Sequence, residues 1–326
     1  MKRKYSVFLA NVGTAYDRFC MEYSPPFSNS ELLDRAASID LLSGVDLVAT
    51  PGLLEEMDAL RAAVKKSGLT VVSIALDIFT QAKWKQGSFS SQDKKVREAA
   101  MDHAREVMEL TKSFGSDLLT IWPGQDGYDY LFQANYLEER THFQNCVTQL
   151  AKEYPDMRIC LEYKIKEPRT HSYIGTVGTA LLMAKATGKE NVGVALDYGH
   201  ALYGYENPAE TVAILKMYGD KLFHVHINDN YRYWDDDLIT GSVRTLEYLE
   251  FFYWLRKTSY GGWITIDQFP YREDGRDACN ESAEWMDFFE SLLDNFDSKK
   301  IDEVIRKKDA VSASKLMREM LKAGHS

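Results

Sequence analysis

The sequence has few of the residues that build thiolate or disulfide sites, with only four cysteines in 326 residues. Cys20, Cys146, Cys160 and Cys279 show no CxxC spacing, which argues against a disulfide framework and against a cysteine-bound zinc. No apolar run approaches the roughly 20 residues that a membrane-spanning helix needs. The start, MKRKYSVFLANVG, alternates like a strand and lacks a cleavage pattern, so we interpret it as part of the fold. These absences favour a cytoplasmic protein.

Excess positive charge is also lacking, because the formal net charge is −10. Tight binding of nucleic acid needs a basic surface for the phosphates, so this class of partner is disfavoured. The apolar fraction of 45% is large enough for a sizeable core, and the charged fraction of 27% is ordinary for a globular protein.

Eight apolar runs predict strands, and eight amphipathic stretches alternate with them. The predicted strands are Tyr5–Ala10, Val45–Ala49, Thr70–Leu76, Leu118–Trp122, Arg158–Lys164, Val192–Asp197, Leu222–Ile227 and Trp263–Phe269. The predicted helices are Ser30–Leu42, Leu53–Lys66, Ser91–Phe114, Asn135–Glu153, Val177–Thr187, Pro208–Tyr218, Thr245–Lys257 and Ala278–Phe296. This alternation predicts an α/β protein with a (β/α)8 TIM barrel and a C-terminal helical extension.

The chain has no low-complexity linker, so we assign residues 1–297 to one barrel domain and residues 298–326 to a helical tail. The tail either packs on its own barrel or contacts another chain in a homodimer or homotetramer.

Four consecutive strands end in an acid or a histidine. These residues are Glu162, Asp197, His226 and Asp267. Catalytic groups of barrel enzymes lie at the carboxyl ends of the strands, so we expect the four side chains to converge. Three carboxylates in a partly dry pocket need a counter-charge, which a divalent cation supplies. The predicted ion is Mn²⁺, with Mg²⁺ or Co²⁺ as alternatives and Zn²⁺ less suited.

A second group of ligands lies around HVHINDNYRYWDDDL, residues 224–238. Asp235 and Asp237 are two residues apart, so both face one point if the loop is extended. His200 follows Asp197 by three residues, and Asp197 then bridges two ions. The chain is therefore predicted to bind one or two ions. The aromatic side chains of Tyr231, Tyr233 and Trp234 are expected to shield them and to form a wall that faces the substrate.

Each of these residues also has a simpler structural explanation. A strand-end aspartate often caps a helix, and a run such as WDDDL is often a solvated turn. His224 is predicted to be a hydrogen-bonded core residue. The joint placement on four consecutive strands favours the metal interpretation for the others.

The segments EYKIKEPR, DYGH, HINDN…WDDDL and IDQF resemble, in this order, the metal-binding segments of the xylose isomerase-like TIM barrels. The likeness runs from about Trp122 to Asp267 and is nearest to the two-metal branch of xylose and L-rhamnose isomerases. It implies one ligand set at Glu162, Asp197, His226 and Asp267, and a second at His200, Asp235 and Asp237 with Asp197 shared.

The resemblance also implies roles toward the substrate. Lys164 would contact a substrate oxygen at the reacting carbons. Trp122 would line the sugar-binding pocket, and His200 would lie beside the sugar. The chain departs from xylose isomerase in one respect, since the segment Val45–Gly52 has no histidine to assist ring opening. This departure argues against xylose as the substrate.

These implications favour aldose–ketose isomerisation of an unphosphorylated sugar by metal-assisted hydride shift, with Glu162, Lys164, Asp235 and Asp267 as catalytic residues. The alternative is a ketose 3-epimerase in which Glu162 and Asp267 form the acid–base pair. A metal-dependent nuclease of the endonuclease IV type and a silent sugar- or protein-binding barrel are weaker alternatives. Sugar choice is expected to depend on the first four loops. Candidates there are Asn11, Tyr16, Thr80, Lys83, Trp84, Lys85, Gln125 and Asp126.

Overall fold

The fold is a closed barrel of eight parallel strands, and the computed structural model describes residues 3–323. The strands are β1 (Lys4–Phe8), β2 (Leu42–Val48), β3 (Thr70–Ala75), β4 (Leu118–Ile121), β5 (Arg158–Glu162), β6 (Val192–Asp197), β7 (Leu222–Ile227) and β8 (Trp263–Ile266). Each strand pairs with its neighbours in sequence order, and Val7 of β1 pairs with Ile266 of β8 to close the barrel. The predicted (β/α)8 architecture is confirmed.

Helices surround the barrel and leave its strands buried on both faces. They are α1 (Asn29–Ala37), α2 (Pro51–Glu55), α3 (Met57–Ser67), α4 (Lys94–Ser113), α5 (Tyr136–Glu153), α6 (Val177–Ala186), α7 (Tyr198–Tyr203), α8 (Pro208–Met217), α9 (Thr245–Lys257), α10 (Gly275–Asp294), α11 (Ser298–Lys307) and α12 (Ala310–Ala323). No helix among residues 3–323 is long and apolar enough to cross a membrane. Each buried Val, Leu or Ile of the strands contributes about 1.5–3 kcal/mol of transfer free energy.

Some predicted helix boundaries are wrong. Helix α1 begins after Ser28, whose side chain and that of Glu31 form a reciprocal capping box, and it ends at Ala37 because β2 already starts at Leu42. The predicted helix Leu53–Lys66 is two helices. Glu56 leaves the helical conformation and its N–H bonds the carbonyl of Leu53, which separates α2 from α3.

The tail forms two helices. Lys308 has a left-handed backbone (φ 52°) that ends α11, and the Asp309 side chain then accepts the N–H of Ser312 at 2.8 Å. Ile301, Leu316 and Met320 are buried in the same apolar core as the barrel helices. A contact between this tail and a second chain stays a prediction.

A small three-stranded sheet joins the loops that follow β4 and β5. Its strands are Gly127–Tyr128, Lys166–Glu167 and Thr170–Ser172. The close pairing requires glycine at position 127, because a Cβ there would lie 2.0 Å from the His171 carbonyl oxygen. Asp129 also accepts hydrogen bonds from Arg169 at 2.9 Å and Thr170 at 2.6 Å. The sheet thus fixes the loop that carries Lys164.

Candidate active site

The four residues at the strand ends converge as expected. Glu162 and Asp197 are the last residues of β5 and β6, His226 lies in β7, and Asp267 follows β8 directly. One ligand atom from each lies within 4.8 Å of those of the others. His226 Nδ1 is 3.2 Å from Glu162 Oε1 and 3.8 Å from Asp267 Oδ2. We call Glu162, Asp197, His226 and Asp267 the first ligand set.

The side chain of His226 tests whether this set fits a metal ion. It is fully buried, and neither ring nitrogen has a hydrogen-bond partner among the described residues. Buried polar atoms nearly always have a partner, so the ring is suited to an ion between it and the carboxylates. Burial lowers the pKa of His226, but Glu162 and Asp267 outweigh this effect and raise it to about 10. The carboxylates therefore attract a positive charge at this position.

The pKa values of Glu162 and Asp267, two acids of the first ligand set, are shifted in opposite directions. Burial raises the pKa of Glu162, but His226 and Lys164 reverse this effect, and the net shift is downward. Burial raises the pKa of Asp267 to about 7, although His226 opposes the shift. The net effect therefore favours the neutral form of Asp267 more than that of Glu162.

A second ligand set consists of Asp197, His200 and Asp235, whose ligand atoms also lie within 4.8 Å of one another. His200 Nδ1 donates to the backbone carbonyl of Tyr163 at 3.0 Å, so Nε2 of the neutral ring carries the free lone pair. Nε2 faces Asp235 Oδ2 at 3.1 Å. Asp197 belongs to both sets, so the two candidate ion positions are adjacent. This chemistry fits a pair of divalent ions.

Lys164 connects the second ligand set to an aromatic wall. Its Nζ is 2.8 Å from Asp235 Oδ2, forms an ion pair with Glu167, and lies 5.6 Å from the centre of the Trp122 ring. Burial lowers the pKa of Lys164, but Asp235 and Glu167 outweigh it, so the pKa rises and the side chain stays charged. The Trp122 ring is held in turn by an edge-to-face contact with Phe79 at 4.6 Å.

Asp237 occupies a different position from the one that an extended loop implies. Its backbone is left-handed (φ 51°), so Asp235 and Asp237 are not related by strand-like alternation. Within residues 3–323 it belongs to neither ligand set. Burial and the nearby Asp235 and Asp267 raise its pKa well above the ordinary value. The carboxyl is therefore close to the site, and its role as a ligand stays a prediction.

The burial of side chains contradicts the shielding role of Tyr231 and Tyr233 and the role of Trp84 in sugar choice, whereas an aromatic wall facing the substrate stays a prediction. The side chains of Tyr231 and Tyr233 are 56% and 84% exposed, so they cannot shield buried ions. Trp234 packs edge-to-face on Tyr203 at 5.5 Å. Trp84, a candidate for sugar choice, is fully buried in the core.

Asp126, another candidate for sugar choice, has a structural role. It is fully buried and accepts hydrogen bonds from the backbone N–H groups of Ser88 at 2.8 Å and Ser90 at 2.7 Å. Its carboxylate therefore fixes the loop after β3 and does not face the mouth.

The sequence interpretation missed Asp46, which lies in the barrel interior below the first ligand set. It is fully buried, and His224 Nε2 lies 2.9 Å from its Oδ1. The hydroxyls of Ser6, Ser73 and Thr265 donate to the same carboxylate. The prediction that His224 is a hydrogen-bonded core residue is confirmed. A lone acid inside the apolar strand LSGVDLV was the signal that could have revealed the pair.

Comparisons with curated proteins find sugar isomerases among the relatives of this chain. The chain is 28% identical over 188 residues to a xylose isomerase of Thermus thermophilus, covering 56% of this chain and 48% of the relative. It is 29% identical over 249 residues to a "Probable sugar isomerase" of Rhizobium meliloti, covering 71% and 56%. The chain thus spans about half the length of the curated relatives it matches.

Solved structures of similar fold cover almost the whole barrel. A D-allulose 3-epimerase from Methylomonas sp. superposes with a TM-score of 0.68 at 16% identity, covering 88% of this chain and 96% of that one. A D-tagatose 3-epimerase-like protein gives 0.65 at 19% identity, covering 89% and 99%. At this identity the likeness concerns the fold alone. Residues 34–288 match the family model of the xylose isomerase-like TIM barrel. The chain therefore belongs to the xylose isomerase-like TIM barrel family.

Proposed function

We propose that this protein is a divalent-metal-dependent isomerase that interconverts an aldose and a ketose of an unphosphorylated sugar by hydride shift. The observation that carries the proposal is the second ligand set, Asp197, His200 and Asp235, placed beside the first set and beside Lys164. An enzyme that binds a single ion does not require this second ligand set. The curated relatives that bear the names xylose isomerase and sugar isomerase support the same class.

The reaction needs the charge on two adjacent sugar oxygens to be stabilised as hydrogen moves between the carbons. Bound divalent ions supply Lewis-acid polarisation of these oxygens. Lys164 Nζ, held by Asp235 and Glu167, donates a hydrogen bond to the oxygen on which charge develops. Trp122 covers the apolar face of the sugar and keeps water away from it.

Asp235 and His200 prepare the proton transfer. Burial raises the pKa of Asp235, but Lys164 and His200 outweigh it and lower the pKa below its ordinary value. Asp235 is therefore ionised, and its Oδ2 would help to hold a water molecule whose pKa the second ion would lower, so that this water would act as the base toward the sugar hydroxyl.

Ketose 3-epimerisation is the second candidate, and one geometric observation favours it. Oε1 of Glu162 and Oδ2 of Asp267 lie 3.2 and 3.8 Å from His226 Nδ1, so two carboxyls are available at the site as an acid–base pair. The solved structures that match this chain over nearly their whole length include ketose 3-epimerases. The position of Lys164 beside the second ligand set has no role in this mechanism.

An NMR assay in D₂O separates the two reactions. The protein is stripped with a chelator, supplied with Mn²⁺, Mg²⁺ or Co²⁺, and incubated with a panel of aldoses and ketoses. Aldose–ketose conversion with little deuterium at the transferred position is expected, with Mn²⁺ as the best ion. Deuterium at C3 of a ketose product would establish the epimerase instead. Absence of turnover with every ion and sugar would refute both.

Neighbouring aspartates give a matched pair of variants for this assay. Asp235→Asn removes a member of the second ligand set, and activity is expected to fall by at least 100-fold. Asp236→Asn changes the adjacent residue, which accepts the N–H of Tyr231 and belongs to neither set, so activity should stay close to that of the unmodified protein. Equal losses in the two variants would contradict the assignment of Asp235.

A further inference from the structure

Strand β7 and the residues after it present four polar side chains to the site in regular alternation. They are His224, His226, Asn228 and Asn230. His224 contacts Asp46, and His226 contacts Glu162. The two asparagines continue the row beyond the end of the strand, where Asp229 and Leu238 exchange backbone hydrogen bonds. Each member of the row therefore meets a different carboxylate.

Asn228 holds the carboxylate that the two ligand sets share. Its Nδ2 lies 3.3 Å from Oδ1 and 3.2 Å from Oδ2 of Asp197, and both residues are fully buried. Oδ1 of Asp197 also accepts the N–H of His200 at 2.7 Å. An ionised carboxylate can only accept hydrogen bonds, so the amide must turn its nitrogen toward Asp197. Donors on one side leave the other lone pairs of Asp197 free for ions.

Asn230 holds the carboxylate that belongs to the second ligand set alone. Its Nδ2 donates to the Gly199 carbonyl at 2.9 Å and to Asp235 Oδ1 at 3.3 Å. Its Oδ1 accepts the N–H of Arg232 at 2.9 Å, which fixes the orientation of the amide. Because Oδ1 of Asp235 is engaged in this way, Oδ2 faces Lys164 and His200.

Gly199, the second residue of α7, makes the close approach of these amides possible. A Cβ at this position would lie 1.8 Å from Asn228 Oδ1 and 2.8 Å from Asp235 Oδ1. Any larger residue would therefore push the asparagine and the aspartate away from their partners. The helix backbone, the two amides and the two carboxylates form one close-packed unit.

From this geometry we infer that Asn228 and Asn230 are positioning residues for the two candidate ions. Asn230 orients Asp235 and thereby acts on the second ion only, whereas Asn228 orients the shared Asp197 and acts on both. The inference rests on the proposed two-ion function. Removal of a residue that supports a ligand typically costs 10–100-fold in metal affinity. The two asparagines therefore differ in which ion they affect.

Titration calorimetry with Mn²⁺ on the chelator-stripped full chain tests this division. The unmodified protein is expected to bind two ions. Asn230→Leu keeps the branching of the side chain and loses the amide. It should weaken the binding of one ion by 10–100-fold and leave the binding of the other unchanged. Asn228→Leu should weaken both ions. Gly199→Ala, which removes no polar group, should weaken both as well.

Asn191→Ala serves as the control for a general loss of stability. Asn191 directly precedes β6, at the end of that strand opposite to Asp197, and its Nδ2 donates to the carbonyls of Ala151, Tyr154 and Met157. This variant should therefore melt earlier and still bind two ions. The visible absorption of bound Co²⁺ gives a second readout, which should change in both Asn228→Leu and Asn230→Leu.

The outcomes separate the two levels of inference. If the unmodified protein binds two ions and the asparagine variants bind them with the same affinities, the positioning role is overturned and the proposed function stands. If the unmodified protein binds one ion or none, the proposed two-ion function fails and the positioning role fails with it. Loss of both ions in Asn230→Leu would contradict the inference that Asn230 acts on the second ion only.

Discussion

The buried pair of Asp46 and His224 gives a prediction whose size follows from the structure. Removing one partner of a buried hydrogen bond to a charged group leaves the other partner unsatisfied and typically costs about 1–3 kcal/mol. We expect Asp46→Ala and His224→Ala each to lower the free energy of unfolding by this amount. In His224→Ala, Asp46 keeps its three hydroxyl donors and loses only the 2.9 Å bond to Nε2.

The coupling between the two residues should therefore equal one hydrogen bond to a charged group. Such a bond contributes about 1.5–3 kcal/mol. The double variant should be less destabilised than the sum of the single variants by this amount. Urea denaturation at pH 7.5 gives the free energy of unfolding of the unmodified protein, the two single variants and the double variant. The comparison holds if the slope of this free energy with urea concentration is the same in all four. Additive single effects would refute the pairing.

A surface pair provides the comparison. Arg158 and Asp117 form two hydrogen bonds of 2.9 and 2.7 Å, but both side chains are largely exposed. Exposed pairs typically couple by less than about 1 kcal/mol. A coupling at Arg158 as large as that at Asp46 would show that burial is not the cause.

Acid should remove the stability contributed by the buried pair. Burial lowers the pKa of His224 below its ordinary 6.5, and Asp46, aided by His224 and Ser73, also has a lowered pKa despite its burial. Below pH 6.5 the unfolded chain therefore binds more protons than the folded protein at His224, so stability falls as the pH falls. The variant His224→Ala should lose less stability than the unmodified protein between pH 7 and pH 5.

Three further predictions concern the site and its surroundings. Lys164→Met is expected to lower kcat by about 10²–10³-fold, because the donor beside Asp235 and Glu167 is lost, and Lys164→Arg should not restore it. Steady-state kinetics test this, and full activity of either variant would contradict the role. Trp122→Ala should raise KM roughly tenfold with little change in kcat, since the ring binds ground and transition states equally. A fall in kcat alone would contradict this reasoning. Burial raises the pKa of Asp229 to about 6, so its contribution to stability is present at low pH and is lost as the pH rises through 6. Asp229→Asn should remove this loss, which urea denaturation measures as the difference in the free energy of unfolding between pH 4.5 and pH 7.5. An unchanged difference in the variant would refute the role of Asp229.

The strands could be predicted because each is a nearly continuous apolar run between turn residues. Their exact ends could not. Strand β5 ends at Glu162, and the N–H of Lys164 bonds the carbonyl of Ile174 instead of a neighbouring strand. This contact joins residues of one loop and leaves no periodic pattern. Helix α7 was missed because it has only six residues and its cap, Asp197, looks like a ligand.

The strand-end positions Glu162, Asp197, His226 and Asp267 could be predicted because the barrel topology brings strand ends together. Asp46 could not be assigned, since its partner His224 lies 178 residues away. The asparagines were missed for a different reason. An amide carries no charge, so a search for groups that need a counter-charge passes over Asn228 and Asn230.

The distance along the chain between Asp46 and His224 also constrains how the barrel folds. A nascent chain that ends before β7 contains the carboxylate and lacks the imidazole, so the early strands cannot bury Asp46 with its partner. A fragment with β1–β6 alone is expected to stay expanded around Asp46 and to aggregate through its unpaired strand edges. Addition of β7 therefore supplies the imidazole partner of Asp46, and β8 then closes the barrel by pairing with β1.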